Sequence, residues 1–227
     1  MSGRPDVEVL LAAVSPCGGD LPAQAWECLT ADECRRAERF RRDADRVHFI
    51  AARYLLLTSL RHRFGTAEPR LMTPQGAKPY MAGTGLPDDL DINISHAQGL
   101  VGCVVGVGAA VGIDIEHIGR VVDATAIARA QFAPEEQVCG GDPVAFLRMW
   151  TLKEAIVKAA GLGLRLELAA FACETDPPRL IRSAPALGPA MAWRLESWAD
   201  TSHVVSVAVR NGAGQAVDLR RVDLAAF

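Results

Sequence analysis

Val111-Gly112-Ile113-Asp114-Ile115-Glu116 reads as a strand with two unlike faces. Residues two apart on a strand point the same way and lie roughly 6.5–7 Å apart. Ile113 and Ile115 therefore bury one side, while Asp114 and Glu116 project together from the other. Paired carboxylates with no thiol or imidazole motif nearby suit a hard, oxygen-seeking cation such as Mg²⁺, which takes one or two carboxylates together with substrate phosphates. The same tetrapeptide also describes an ordinary half-buried strand with an acidic solvent face. Its position is more decisive, because it lies mid-chain and the elements on either side follow one order, helices first and strands after.

Upstream, Glu8 to Val14 is a short apolar strand, followed by a loop with Pro16, Gly18, Gly19 and Pro22. Thr30-Ala31-Asp32-Glu33 has capping-box spacing and opens a helix. Arg46 to Arg63 carries helical apolar spacing through Phe49, Ile50, Leu55, Leu56, Leu57 and Leu60. A Gly/Pro-rich stretch, Pro74 to Pro87, leads to strands at Ile92–Ser95 and Leu100–Val105. Downstream, Asp123 to Gln131 is helical and Pro134-Glu135-Glu136 opens a turn. Asp142-Pro143 pairs an N-cap carboxylate with proline at the first helical position, and that helix runs to Ala160 with Gly161 as its left-handed stop. Alternating stretches at Met191–Trp198, His203–Val209 and Val217–Leu224 are expected to form an antiparallel meander. The fold class is α+β, with two similar halves, 1–112 and 113–227, in one compact unit.

Composition removes several classes of function. A net charge of −3 over 227 residues argues against a dedicated nucleic-acid binder. The early apolar stretch Val9–Val14 is far too short to span a bilayer and follows no basic leader, so no membrane association or secretory signal is expected. The six cysteines (17, 28, 34, 103, 139, 173) form no CxxC pair and no zinc spacing, and are read as reduced thiols of a cytoplasmic protein. Of 24 basic residues, 21 are Arg; the three lysines are Lys78, Lys153 and Lys158, two of them five residues apart on one predicted helix.

That helix is apolar almost all round, as a buried helix is. Leu147, Thr151, Glu154 and Lys158 fall on one narrow face of it. Glu154 and Lys158 are either an ordinary i,i+4 surface pair or a pair retained to bind something. Asn93-Ile94-Ser95-His96 ends a strand with two groups able to hydrogen-bond an anion, although a lone His is commonly structural. Arg35, Arg36, Arg39, Arg41, Arg42, Arg46 and Arg53 outnumber Glu38, Asp43 and Asp45. This run is a solvated helix face or a phosphate site, since guanidinium forks match phosphate well.

Taken in order, Ala77-Lys78-Pro79, Asn93-Ile94-Ser95-His96, Gly112-Ile113-Asp114-Ile115-Glu116 and Trp150-Thr151-Leu152-Lys153-Glu154-Ala155 with Lys158 and Gly161-Leu162-Gly163 resemble the Sfp-type 4′-phosphopantetheinyl transferases over roughly Arg35 to Leu164. The resemblance implies a pseudo-dimer with the active site between its halves. It implies transfer of the phosphopantetheine arm of coenzyme A to a serine of an apo acyl or peptidyl carrier protein, small and acidic, with release of 3′,5′-ADP by a monomeric enzyme. Asp114, Glu116 and Glu154 would gather Mg²⁺, with Mn²⁺ as the alternative. Glu154, Glu116 or a held water would be the base, and Lys158 would steady the pyrophosphate. Lys78, Pro79, Ser95, His96, Lys153 and the arginines Arg39, Arg46 and Arg53 would hold the nucleotide. Leu162, Ala77 and Gln131-Phe132 depart from the family pattern, the last detracting from any role for Glu136. A degenerate homologue that binds coenzyme A or a carrier without transfer is the alternative reading.

Overall fold

Twenty-two consecutive residues, Asp43–Phe64, form the longest helix of the molecule, and the reason is visible in its ends. Asp43 and Asp45 sit in its first turn, Arg61, His62 and Arg63 in its last, which opposes the helix dipole at both termini. Gly65 stops it at φ 65°. The computed structural model describes residues 7–15, 21–65, 68–120, 122–211 and 217–224. Within them the helices are α1 (Gln24–Glu27), α2 (Ala31–Glu38), α3 (Asp43–Phe64), α4 (Ala124–Gln131) and α5 (Pro143–Ala160). The expected capping box is present: Thr30 accepts from the Glu33 amide and Glu33 reaches back to Thr30. Asp142 caps α5 through the Val144 amide, and Gly161 ends it at φ 66°. Pro134–Gly141 is a 3₁₀ segment. Cys17 and the loop prolines and glycines 16–19 lie outside the described residues.

The first sheet contains β1 (Val7–Ala13), β4 (Leu90–Ala97) and β5 (Leu100–Val107), with β5 antiparallel to both others. Its fourth strand is β11 (Val217–Val222), which pairs in parallel with β1 from Val7↔Val217 to Ala12↔Val222. The second sheet has the order β6 (Ala110–His117), β10 (His203–Arg210), β9 (Trp193–Ala199), all antiparallel. Small hairpins β2 (Arg70–Met72) with β3 (Tyr80–Ala82) and β7 (Ala172–Thr175) with β8 (Pro178–Arg182) complete the described strands. The expected meander is therefore corrected. Only β9 and β10 form it, and β11 crosses to the other sheet because the β1 edge there offers a full ladder of unpaired backbone groups. The boundary at 112/113 falls inside β6, and β11 belongs by position to the first half's sheet.

Apolar side chains gather in three places. α3 packs on one face of the first sheet through Ile50, Leu55, Leu56 and Leu60. α5 packs on the second sheet through Leu152, Ile156 and Ala159. Between the sheets lies a third cluster, with Val9, Leu11 and Val104 meeting Ile113, Ile115, Val205 and Val207. Gly112 is what lets α5 lie so close to β6: a Cβ there would stand 2.1 Å from the Ala155 carbonyl oxygen. No helix among the described residues is long and apolar enough to cross a membrane. Five cysteines, at 28, 34, 103, 139 and 173, are free thiols.

Candidate active site

The two sheets meet along β4 and β6, and what joins them is a zipper of side chains. β6 is the edge of its sheet, so alternate N–H and C=O groups face outward and need partners. Asp91, Asn93 and Ser95, alternate residues of β4, supply the acceptors. The Val111 amide donates to Asp91 Oδ2 at 2.7 Å, that of Ile113 to Asn93 Oδ1 at 3.0 Å and that of Ile115 to Ser95 Oγ at 3.2 Å. Two lysines satisfy the outward carbonyls. Lys78 Nζ donates to Val111 O at 2.7 Å and to Asp91 Oδ2 at 2.5 Å. Lys158 Nζ, arriving from α5, donates to Ile113 O at 3.1 Å, to Ser95 Oγ at 3.3 Å and to Asp114 Oδ1 at 2.6 Å.

Beside this seam opens a cleft of about 730 Å³. Residues 76–79 form one wall, Trp150, Glu154, Val157 and Lys158 of α5 a second, and the loop 161–168 a third. Asn93 and Gln131 complete the lining. Of the sequence candidates, Lys78, Pro79, Glu154 and Lys158 thus line one cavity. Asp114 and Ser95 join it through Lys158. Leu162, at the position where the family pattern carries a basic residue, contributes apolar wall.

Burial pushes the Asp114 carboxyl above its ordinary range against the opposing pull of Lys158 and Ser95. Glu154 is raised first by burial and then by the Asp114 charge. Glu116 is raised by burial and by Asp114 and Glu154, with Arg120 opposing. The three carboxylates therefore sense one another. As they stand they do not form a closed ligand cage: no group of three Asp, Glu, His or Cys side chains among the described residues is drawn together to hold an ion. Glu116 is turned to Arg120, and Asp114 to Lys158. The donor set nonetheless suits a hard divalent cation. Asp114 Oδ2 is buried with no hydrogen-bond partner, and two carboxylates plus substrate oxygens are what Mg²⁺ requires.

Other candidates lie elsewhere. His96, exposed at the end of β4, stacks on His48 with ring centroids 5.5 Å apart. Arg46 is half-exposed and pairs with Asp43, and Arg39 is exposed with no ion pair among the described residues. Arg53 does not line the cleft. Its side chain is buried, bonded to Glu33 at 2.8 Å and to the Phe49 carbonyl at 3.1 Å, and stacked 3.4 Å above the Phe49 ring. Lys153 does not line the cleft and is 0% exposed. Its three N–H groups meet Glu136 Oε1 (2.8 Å), Glu136 Oε2 (2.6 Å) and Phe171 O (2.8 Å). Glu136 in turn accepts from the amides of Ala133 and Cys173. Glu136 thus sits in a buried ion pair and does not line the cleft. Sequence reasoning set Glu136 aside and quoted Asn93 within its strand motif without giving it a role. The polar alternation Asp91, Asn93, Ser95 was the available signal for the latter.

A sequence model of the 4′-phosphopantetheinyl transferase superfamily matches residues 110–208, from β6 through β10. The 4′-phosphopantetheinyl transferase HetI of Nostoc sp. is 31% identical over 191 residues, covering 80% of this chain and 78% of that protein. The chain belongs to the 4′-phosphopantetheinyl transferase superfamily. A phosphopantetheinyl transferase of Thraustochytrium sp. is 28% identical over 207 residues, covering 82% of this chain and 71% of its own. The 4′-phosphopantetheinyl transferase of Bacillus subtilis is 29% identical over 167 residues, 67% of this chain and 71% of that one. The enzyme is accordingly a 4′-phosphopantetheinyl transferase, and the family match begins at the strand that supplies Asp114 and Glu116 and contains the helix that supplies Glu154 and Lys158.

Proposed function

We propose that the transferase moves the phosphopantetheine arm of coenzyme A onto a serine hydroxyl of an apo acyl or peptidyl carrier protein and releases 3′,5′-ADP. The observation that carries this reading is the meeting of Lys158 with Asp114 and Ser95 at a cleft that Glu154 also lines. Asp114, Glu116 and Glu154 are the residues that would hold Mg²⁺ or Mn²⁺, which when bound neutralises charge on the diphosphate and aligns its phosphorus for in-line attack.

The serine oxygen forms the new P–O bond as the bridging bond to 3′,5′-ADP breaks. Glu154, with a carboxyl raised by burial and by Asp114, accepts the serine proton directly or through one water; Glu116 is the alternative base. Lys158 donates to diphosphate oxygens as negative charge grows on the leaving group. Lys78 and Pro79 form the wall against the nucleotide, while Ser95 keeps Lys158 aimed. His96, Arg39 and Arg46 take the adenosine and its 3′-phosphate. The two α+β halves, 1–112 and 113–227, form a pseudo-dimer that acts as a monomer, and its free thiols fit a reducing cytoplasm.

Intact-protein mass spectrometry of an apo carrier incubated with enzyme, coenzyme A and Mg²⁺ tests this reading. A gain of one phosphopantetheine that EDTA abolishes supports it. Unmodified carriers of fatty-acid, polyketide and peptide type, with coenzyme A still bound, would replace it with the degenerate homologue.

A further inference from the structure

Along the β4–β6 zipper, the three polar residues of β4 are not equally used. Asp91 is paired with Lys78 and the Val111 amide. Ser95 accepts from the Ile115 amide and Lys158 and donates to Asp114. Asn93, between them, has one partner only. Its Oδ1 accepts from the Ile113 amide, which settles the amide's orientation because an N–H cannot face the Asn NH₂. The two Nδ2–H groups meet no acceptor among the described residues. Asn93 is 8% exposed and lines the cleft that holds Glu154 and Lys158. Its Nδ2 is not among the buried unpartnered atoms, so it opens onto the cleft, where water serves it in the free enzyme and a ligand oxygen can take that place.

We infer that Asn93 is a substrate-binding residue whose amide donates to a phosphate oxygen of the coenzyme A diphosphate. This rests on the transferase reading above and adds a neutral donor to it. The acceptor is assigned to the phosphates because the residue two positions along β4 is Ser95, which holds Lys158, and the diphosphate is the acceptor-rich group that Lys158 would meet. A neutral donor grips phosphate oxygens without competing with Asp114 for Lys158 or for a cation. Ile113, whose amide sets the Asn93 side chain, immediately precedes Asp114, so donor and carboxylate are held on one rigid strand.

Two substitutions separate donation from support. N93S keeps an acceptor for the Ile113 amide, as Ser95 does for Ile115 at 3.2 Å, but withdraws the amide from the cleft. N93D keeps the acceptor and replaces the donors with a charge. The readouts are thermal unfolding, calorimetric binding of coenzyme A and of 3′,5′-ADP, and carrier loading. The inference expects both variants to melt near the wild-type temperature. It expects both to bind coenzyme A and 3′,5′-ADP about tenfold to a hundredfold more weakly, with kcat/KM for coenzyme A falling to match. It is overturned if N93S binds both nucleotides as the wild type does, whether or not N93D is impaired. Loss of coenzyme A affinity with 3′,5′-ADP unaffected would still support it, placing the amide on the phosphate that stays with the pantetheine arm and that 3′,5′-ADP lacks. Wild-type enzyme that binds neither nucleotide and loads no carrier would instead fail the transferase reading itself. Wild-type binding and loading with an indifferent N93S fails only the assignment of Asn93.

Discussion

Lys153 and Lys158 stand five residues apart on α5, and each touches one carboxylate and one main-chain carbonyl. Around Lys153 every polar group is answered. Its three N–H groups have three acceptors, both Glu136 oxygens also receive backbone amides, and the pair is closed from solvent. Around Lys158 the account is open. The side chain is 29% exposed to the cleft, Asp114 keeps a buried oxygen without a partner, and Asn93 keeps two unused donors. A closed network belongs to folding, because removing one member strands a buried charge. An open network tolerates loss of a member in folding terms but is poised for a ligand that finishes it. One helix thus carries a buried structural ion pair at Lys153 and a candidate catalytic one at Lys158.

The strongest way to break this contrast is D114A. If the open cluster is catalytic, carrier loading falls at least about 10³-fold, roughly 4 kcal/mol in the barrier. The melting temperature, read by calorimetry, should stay within a few degrees, because the carboxylate removed was incompletely satisfied. A stability loss matching the activity loss would erase the distinction.

The counterpart is K153M, which leaves Glu136 charged and buried. We expect about 3–5 kcal/mol of destabilisation in urea unfolding, with loading per folded molecule close to wild type. Adding Glu136→Gln to K153M should recover part of the loss, since no unpaired charge then remains and the amide oxygen can still accept from the Ala133 or Cys173 N–H. A stable K153M with weak coenzyme A binding would return Lys153 to the list of phosphate ligands.

Between the two regions lies the β6–α5 contact. G112A introduces a Cβ against the Ala155 carbonyl and should cost about 1–3 kcal/mol in thermal unfolding. By shifting α5 it should also lower loading, the one substitution here that moves both properties together.

The smallest effect is expected at Asp200, far from both lysines. Amides of Ser202 and then the Arg221 guanidinium hold its carboxyl down at about 2. A carboxyl depressed in the folded state adds stability above its unfolded pKa of 3.8 and loses it as pH falls toward 2. D200N should therefore unfold with a shallower acid slope between about pH 4 and 2. The total difference is about 1 kcal/mol or less because the pair is partly exposed.

Local signals in the chain were enough for the four longer helices and for most strands, while α1 and the two small hairpins went unread. The Thr30 capping box, the Asp142-Pro143 start and the Gly161 stop each state a backbone requirement within a few residues, and each is met. The alternation at 113–116 and the helical spacing at 150–158 likewise placed carboxylates and a lysine on faces that converge. What the chain alone did not reveal was partnership over long separations. Lys153 and Lys158 are the same residue type on the same helix, and only the neighbours at 136 and 171, or at 95 and 114, distinguish a buried brace from a cleft cation. The stretch 217–222 alternates as any strand would. Its pairing with β1 rather than β10 depended on which sheet edge was left open once the other strands had packed. Hydrophobic period and capping are local and written in neighbouring residues; the partner of a charge or of a strand edge is chosen by whichever distant group burial brings within hydrogen-bonding reach.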